Sequence, residues 1–485
     1  MTTLPGDAEL HPKIRRAYFW TLVGNTLRHF GGFAISVLLA RLLEPSDYGL
    51  IGMVLVVLSL LATFQDLGLG QAMVHFDEQR TTIPTYFTAT VLVGSILTGA
   101  AILAAPAVAA FYHEPRLTLV LRVLSVTVLL ISSYTISQAV LSKQFRFKEL
   151  ALIEACASLS AGGIGVFLAW RGAGVWSLVI NLLLFNLFQT VALCALVPPR
   201  FTLRLDKPVL LRLLRYGLPL TGANLLHQFY DNADYLVVGR MVGPTPLGHY
   251  TQAFRLATLA HERIAALVNR VAFPSFAAMQ KEPDRVVEHW FSVSRMVSLV
   301  NFPLLSFLFV NASDLILLIL GRKWLPAAVP LRFLCVVGVL RSLVHIILHI
   351  QNALGQTRLR LWFSIANLVL LPVSFAIGCK LAGIKGVGIA WCVVYPVIWM
   401  IALLSVRRFL PFSFAGYFKR LRLPALTGAL CIASMMLAGW PSQLLSRLIL
   451  RAAVGGAVAG ACLLSAKDIR GAAIGLFRRM VCAKA

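Results

Sequence analysis

The chain has 485 residues, of which 59% are hydrophobic and 13% charged, with a formal net charge of +25. A soluble domain carries about 25% charged and about 45–50% apolar residues, so a water-soluble globule is excluded, and the length leaves room for about 14 bilayer crossings of roughly 20 residues each. The positive charge falls mostly in short loops between apolar runs, with no basic stripe interleaved with aromatics outside them, which reads as membrane topology and not as a nucleic-acid surface.

Lys13, Arg15 and Arg16 precede the first apolar run, and no small-residue cleavage site follows it, so an uncleaved first span is expected. The predicted spans of the first half are 17–40, 48–74, 84–111, 117–142, 149–170 and 174–197. A basic stretch from Pro198 to Arg215 follows, then 208–239, 247–279, 290–320, 326–354, 358–382 and 385–408. After a second basic stretch, Arg407 to Arg422, come 422–439, 443–465 and a basic tail. With loops this short there is no place for a separate extramembrane catalytic module. The eight cysteines lie mostly inside apolar runs without a CxxC or zinc spacing and read as small hydrophobes.

Lysine and arginine set the orientation. With the N-terminus inside, about 26 of the 44 basic residues fall on the cytoplasmic side, so the positive-inside rule places both termini in the cytoplasm. An even number of spans agrees with that.

The chain also repeats. Setting Asn25 on Asn224 brings Leu27 over Leu226, Phe30 over Phe229, Ala34 over Ala233, Arg41 over Arg240, Pro45 over Pro244 and Gly49 over Gly248. Near the ends of the halves Ala139 falls on Ala353, Gly172 on Gly386, Gly174 on Gly388 and Arg171 on Lys385. Six spans separate the copies, which gives a parallel repeat about an axis along the membrane normal. The expected fold is an all-α polytopic membrane protein of about 14 transmembrane helices. Two pseudo-symmetric six-helix lobes, 1–200 and 201–412, would surround a central cavity, and 413–485 would add two further helices and a basic cytoplasmic tail.

A charged side chain at the bilayer centre costs about 2.5–3.5 kcal/mol, so charges within spans should face a cavity or a partner, and those near the ends can snorkel. Thr21, Asn25, Arg28, Gly32 and Ser36 form a polar stripe on the first span. Asn224, His227, Gln228, Asp231 and Asp234 form its counterpart on the seventh. Arg255, Glu262, Arg263 and Arg270 share about a third of the eighth helix. Arg341, His345, His349 and Asn352 recur three or four apart on the tenth, and Asp66 lies on the second. Each stripe reads either as cavity lining or as a buried hydrogen-bonded face. A metal at Arg341, His345 and His349 lacks a carboxylate or cysteine to complete it, so no metal is expected. Arg263 could pair with Glu262 or Asp231, and Arg447 and Arg451 near the C-terminus could simply snorkel. Five cations, Arg28, Arg255, Arg263, Arg270 and Arg341, are therefore the candidate substrate-binding residues, since the guanidinium fork suits phosphate or carboxylate. Asn25, Asn224, Gln228, His345, His349 and Asn352 are the candidate polar lining, and Asp66, Asp231 and Asp234 the candidates for ion coupling. There is no GxxxxGK[ST] loop, so ATP is not expected to drive the cycle directly, and no cofactor is expected.

The run LLARLLEPSDYGLIGM followed by FQDLGLGQAMV resembles the opening of the polysaccharide-transporter branch of the MOP superfamily. DNADYLVVGRMVGPTPLGHYTQAFRLA, NRVAFPSFAAMQKEPDRV and GRKWLPAAVPLRFLC extend the resemblance over most of residues 15 to 410. It implies a bacterial inner-membrane flippase, not an enzyme. Such a protein passes undecaprenyl-diphosphate-linked oligosaccharides to the periplasmic leaflet by alternating access, for exopolysaccharide, capsule or O-antigen. Its partners would be the lipid-linked oligosaccharide, the phospholipid bilayer and other polysaccharide-assembly proteins, and a monomer would suffice. The branch supplies no universal signature, so the candidate residues rest on the stripes alone. A drug or cation exporter on the same scaffold predicts an acidic cavity, against the arginines here. A glycan polymerase or ligase wants a large outside loop, and a scaffold of an assembly complex would leave export intact when deleted.

Overall fold

A computed structural model of the chain describes residues 30–66, 82–144, 146–198, 206, 208, 221–222, 224–258, 275–276, 279–438 and 443–465. Every regular element among them is helical, as a membrane interior requires of any segment that must satisfy its own backbone. They are α1 (Phe30–Leu42), α2 (Pro45–Asp66), α3 (Thr82–Tyr112), α4 (Arg116–Lys143), α5 (Phe147–Trp170), α6 (Val175–Leu196), α7 (Ala233–Val242) and α8 (244–258). There follow α9 (Pro283–Val310), α10 (Ala312–Ile319), α11 (Ala328–Ala353), α12 (Thr357–Val406), α13 (Phe414–Leu437) and α14 (Leu444–Ser465). Among the described residues ten helical segments are long and apolar enough to cross a membrane. The longest, Arg358–Val406, is two helices meeting at Ala382 and Gly383, where φ is −145° and +56°. This is a multi-pass membrane protein, all-helical among the described residues.

The break within α12 falls where the spans 358–382 and 385–408 divide. It also corrects the repeat register at this end. Gly174, which precedes α6, has φ 56° and ψ −133°, and Gly383 has φ 56° and ψ −135°. Gly174 therefore corresponds to Gly383 in conformation, and Gly172 and Gly174 do not fall on Gly386 and Gly388. Those two glycines lie inside the helix after the break, where Gly386 crosses Gly378 backbone to backbone and Gly388 lies under Phe333. Such small-residue crossings are how membrane helices approach closely.

Two further spans are corrected. The ninth begins at Pro283, a proline at a helix start where its missing N–H costs nothing, and ends at Asn311, after which α10 is a separate short helix. The thirteenth begins at Phe414, with the Ser413 hydroxyl accepting from Gly416 N–H at 3.4 Å. Lys419, Arg420 and Arg422 are thus on its first turns rather than in a loop.

The chain forms two compact units, Met1–Gly248 and His249–Ala485. In the first, α4 packs against α3 and α6, and α5 against α6. In the second, α9 packs against α11 and α13, α11 against α12, and α13 against α14. The end of the first unit is held by the start of α8. Helix α2 opens on Pro45 and α8 on Pro244, and the two starts cross, Gly49 on the Pro244 carbonyl and Gly248 on the Pro45 carbonyl. Gly239 packs on Tyr112 beside them, where a Cβ would come within 2.8 Å of the ring.

The C-terminal helices are joined to the second unit by charge as well as by packing. Arg451 donates to Asn311 Oδ1 at 3.1 Å and to Asp314 Oδ2 at 3.2 Å, and Arg447 reaches Asp314 at 3.7 Å. These two arginines do not snorkel free; Asp314, at the start of α10, receives both.

Candidate functional site

Of the candidate residues, Asn25, Arg28, Arg263 and Arg270 lie outside the described residues. Asp66 is the last residue of α2. The rest fall into two groups, one in each unit.

In the first unit the seventh span is not one continuous helix. Residues 224–231 are helical, Asn232 turns with φ −109° and ψ 9°, and α7 starts at Ala233. The Gln228 carbonyl accepts both the Asn232 backbone N–H at 3.2 Å and the Asn232 side-chain amide at 2.8 Å. Asn224 is exposed, Gln228 and Asp231 half-buried, and Asp234 fully buried in the first turn of α7. There its carboxylate accepts from Tyr235 N–H at 2.9 Å, at the helix end whose free N–H groups favour an anion. His227 and Tyr230 are joined at 2.6 Å on the preceding turn. The expected stripe is therefore split by the break, with Asp234 beyond it in a separate helix.

In the second unit Arg341 stands midway along α11. Its guanidinium lies over two aromatic faces, Phe254 from α8 at 5.5 Å and Trp391 from α12 at 5.9 Å. Trp391 is itself fixed, donating from Nε1 to the Tyr250 hydroxyl at 2.9 Å and packing on Phe375 at 4.8 Å. A cation over an aromatic face gains about 0.5–1 kcal/mol when exposed and about 2 or more when desolvated, which offsets much of the cost of a mid-membrane charge. Beside the guanidinium is a cavity of about 20 Å³, walled by Phe254, Thr258, Val337, Gly338 and Trp391, room for about one water. His345 and His349 follow on successive turns of α11, half-buried, and Asn352 is exposed near its end. Arg255 is exposed on α8, next to Phe254 in sequence. Among the described residues no three His, Cys, Asp or Glu side chains converge as a metal site would need.

Arg341 was legible as a candidate; its walls were not. Phe254 and Trp391 come from two other helices, and nothing in their own sequence surroundings distinguishes them from core aromatics. What the arrangement can do is present a planar, permanently charged guanidinium in a fixed orientation beside a small void, which suits recognition of an anionic group.

The profile of the family described as "Polysaccharide biosynthesis protein" matches residues 38–329. Lipopolysaccharide biosynthesis protein WzxC of Escherichia coli (strain K12) is 24% identical over 383 residues, 77% of this chain and 77% of its own. Teichuronic acid biosynthesis protein TuaB of Bacillus subtilis (strain 168) is 24% identical over 367 residues, 75% of this chain and 76% of its own. Succinoglycan biosynthesis transport protein ExoT of Rhizobium meliloti (strain 1021) is 24% identical over 369 residues, 75% of this chain and 74% of its own. Among solved structures, the lipid II flippase MurJ in an inward closed conformation superposes with a TM-score of 0.77, covering 93% of this chain and 99% of that one at 13% identity. An inward-facing multidrug resistance MATE family transporter of the MOP superfamily superposes with a TM-score of 0.64, covering 79% and 94% at 17% identity. At these identities the structural likeness is one of fold.

Proposed function

Because this chain belongs to the polysaccharide biosynthesis protein family, we propose that it is a flippase and not an enzyme. It moves undecaprenyl-diphosphate-linked oligosaccharide units from the cytoplasmic to the periplasmic leaflet of the bacterial inner membrane, for assembly of a surface polysaccharide. The relatives named for lipopolysaccharide, teichuronic acid and succinoglycan support the cargo class, and the fold likeness to a lipid II flippase supports the lipid carrier.

The observation that carries the reading is Arg341 between Phe254 and Trp391. A guanidinium held in a fixed orientation on two rings at mid-span is placed to meet an anionic diphosphate passing the membrane. The sugars make a demand of their own. Each hydroxyl moved into hydrocarbon without a partner costs about 4–8 kcal/mol, so a multi-sugar unit crosses only through a polar path. In this reading the lobes 1–200 and 201–412 alternate access to that path, with both termini cytoplasmic. Arg28, Arg255, Arg263 and Arg270 serve the diphosphate with Arg341, while Asn25, Asn224, Gln228, His345, His349 and Asn352 serve the sugars. Asp66, Asp231 and Asp234 are the groups through which an ion gradient would couple.

The test is reconstitution of the purified protein in vesicles with a labelled undecaprenyl-diphosphate oligosaccharide, and measurement of its appearance in the opposite leaflet. Flipping by the native protein and its loss in Arg341→Ala, with folding intact, is the expected result. Equal flipping in Arg341→Ala and Arg28→Ala would remove the arginines from the mechanism. Absence of flipping with several glycans and ion gradients would sink the transport reading.

A further inference from the structure

Away from Arg341, between the N-terminal halves of α9 and α13, lies a larger cavity of about 560 Å³, within the range of small-molecule sites. Its apolar lining is Val287, Phe291 and Leu423, and its charged lining is three cations, Arg295, Lys419 and Arg420, against one carboxylate, Glu288. Arg295 is half-buried, with Nε out of reach of solvent, whereas Lys419 and Arg420 stand exposed at the rim.

The depth of this cavity in the membrane can be read from its neighbours. Trp290 stacks on Tyr417 at 4.9 Å and meets Phe412 at 5.0 Å, Phe412 meets Phe414 at 5.1 Å, and Trp399 meets Phe418 at 5.5 Å. Arg407 lies over the Phe414 ring at 5.3 Å. Trp290 and Tyr417 are buried in the protein, so the depth is set by the helix ends: α9 and α13 both begin here and α12 ends beside Arg407, which places the cavity at a membrane–water boundary. Here it is the boundary that the lysine and arginine count assigns to the cytoplasm. At that depth the three cations lie beyond Val287 and Phe291 and short of Leu423, a level at which a headgroup phosphate can meet them while its lipid tail runs on into the membrane.

We propose that the cavity between α9 and α13 binds an anionic phospholipid, its phosphate held by Arg295, Lys419 and Arg420 and its acyl chain running into the membrane past Leu423. Basic pockets between transmembrane helices on the cytoplasmic side are suited to such headgroups, in a leaflet whose anionic lipids already concentrate there. Arg295 supplies the oriented, partly enclosed contact. The two exposed cations supply attraction, which salt should weaken. The site does not depend on the proposed transport activity, since none of its residues belongs to the candidate transport residues.

The experiment is lipid binding by the full-length protein in nanodiscs of phosphatidylcholine, titrated with labelled phosphatidylglycerol. Three variants are compared: Arg295→Gln, the double variant Lys419→Gln/Arg420→Gln, and a control pair with the same charge change outside the cavity, Arg407→Gln/Arg408→Gln. The expected result is saturable binding, weakened at least tenfold by Lys419→Gln/Arg420→Gln and by Arg295→Gln and unchanged in the control pair. The rim variant changes only exposed side chains, so its melting temperature in pure phosphatidylcholine should equal that of the native protein. The assignment is overturned by any of three results. These are binding that falls equally in the control pair, which would mean diffuse surface charge; binding of labelled phosphatidylcholine as tight as that of phosphatidylglycerol; and inorganic phosphate competing as well as the lipid, which would mean that the acyl chain adds nothing.

Discussion

Gly49 and Gly248 superpose in the sequence repeat and exchange partners in space: each lies on the carbonyl of the proline that opens the other's helix. At this crossing the repeat is a physical contact, with the same four-residue P-x-x-x-G spacing on both sides (Pro45 to Gly49, Pro244 to Gly248). Because the partner atoms are backbone, no rotamer change can make room. Gly49→Ala and Gly248→Ala should each destabilise the protein by at least the about 1–3 kcal/mol typical of overpacking, and by similar amounts. Gly99→Ala, a helical site with nothing within 4 Å of an added Cβ, should be neutral or stabilising by about 0.5–1 kcal/mol. Thermal melts of the three variants in one detergent would check this; a Gly49→Ala melt equal to native would refute the crossing.

The matched breaks make a second pair. With φ +56° at both Gly174 and Gly383, alanine at either place is held in a conformation that costs a non-glycine residue about 1–3 kcal/mol. Gly174→Ala and Gly383→Ala should lower the melting temperature by similar amounts. Gly163→Ala, with open space around it and no such φ, should not.

The link between α14 and the rest of its unit depends on Asp314. Its side chain and that of Arg451 are 19% and 14% exposed, so loss of Asp314 leaves an enclosed Arg451 without a charge partner, at up to about 3–5 kcal/mol for a buried pair. Loss of Arg451 leaves Asp314 with Arg447 at 3.7 Å and should cost less. Arg451→Met and Asp314→Asn should each release the last helix, seen as proteolysis near the α13–α14 connection. The exchange Asp314→Arg with Arg451→Asp should recover part of the protection; protection unchanged in both single variants would show that packing alone holds α14.

At the candidate transport site, Arg341→Lys keeps the charge and loses the planar fork that stacks on Phe254 and Trp391. It should lower flipping roughly tenfold, about 1.4 kcal/mol, with Arg341→Ala lower still. Tyr250→Phe removes the acceptor of the Trp391 N–H and should have a smaller effect in the same direction. Rates equal to native in Arg341→Lys would assign the residue a role through charge alone.

One acid outside the spans gives a pH dependence. The Arg116 side chain, bonded to Glu114 at 2.8 Å, holds the Glu114 carboxyl below its ordinary range. The stabilisation is present above the ordinary carboxylate pKa and is lost as pH falls through the depressed one. Because Arg116 is 58% exposed, the contribution should be below about 1 kcal/mol. The melting temperature of Glu114→Gln should therefore approach that of the native protein as pH falls below about 4; a gap that stays constant down to pH 3 would exclude the pair as its source.

The helical membrane class was legible because hydrophobicity is a sum over many residues and survives local error. The break at Ala382-Gly383 was legible because it parts two apolar runs. The register there was not. Glycine identity favoured Gly386 and Gly388, but the break is defined by backbone angles, which two glycines inside a helix do not share. The start of α13 was missed for a related reason: Lys419, Arg420 and Arg422 depress local hydropathy, yet a helix end at the membrane boundary tolerates them. Arg451 could not be matched to Asp314, 137 residues away, and Arg341 could not be matched to the two rings around it. Spacing along one helix tells which residues share a face, but not what the face meets.

The crossing at Gly49 and Gly248 also bears on genetics. A side-chain clash can usually be relieved by trimming the neighbour, so second-site suppressors arise. Here the neighbour is a peptide carbonyl, present whatever residue occupies position 45 or 244. A screen for revertants of Gly49→Ala should then return glycine itself or changes that shift whole helices, and never a substitution at Pro244 that merely removes bulk.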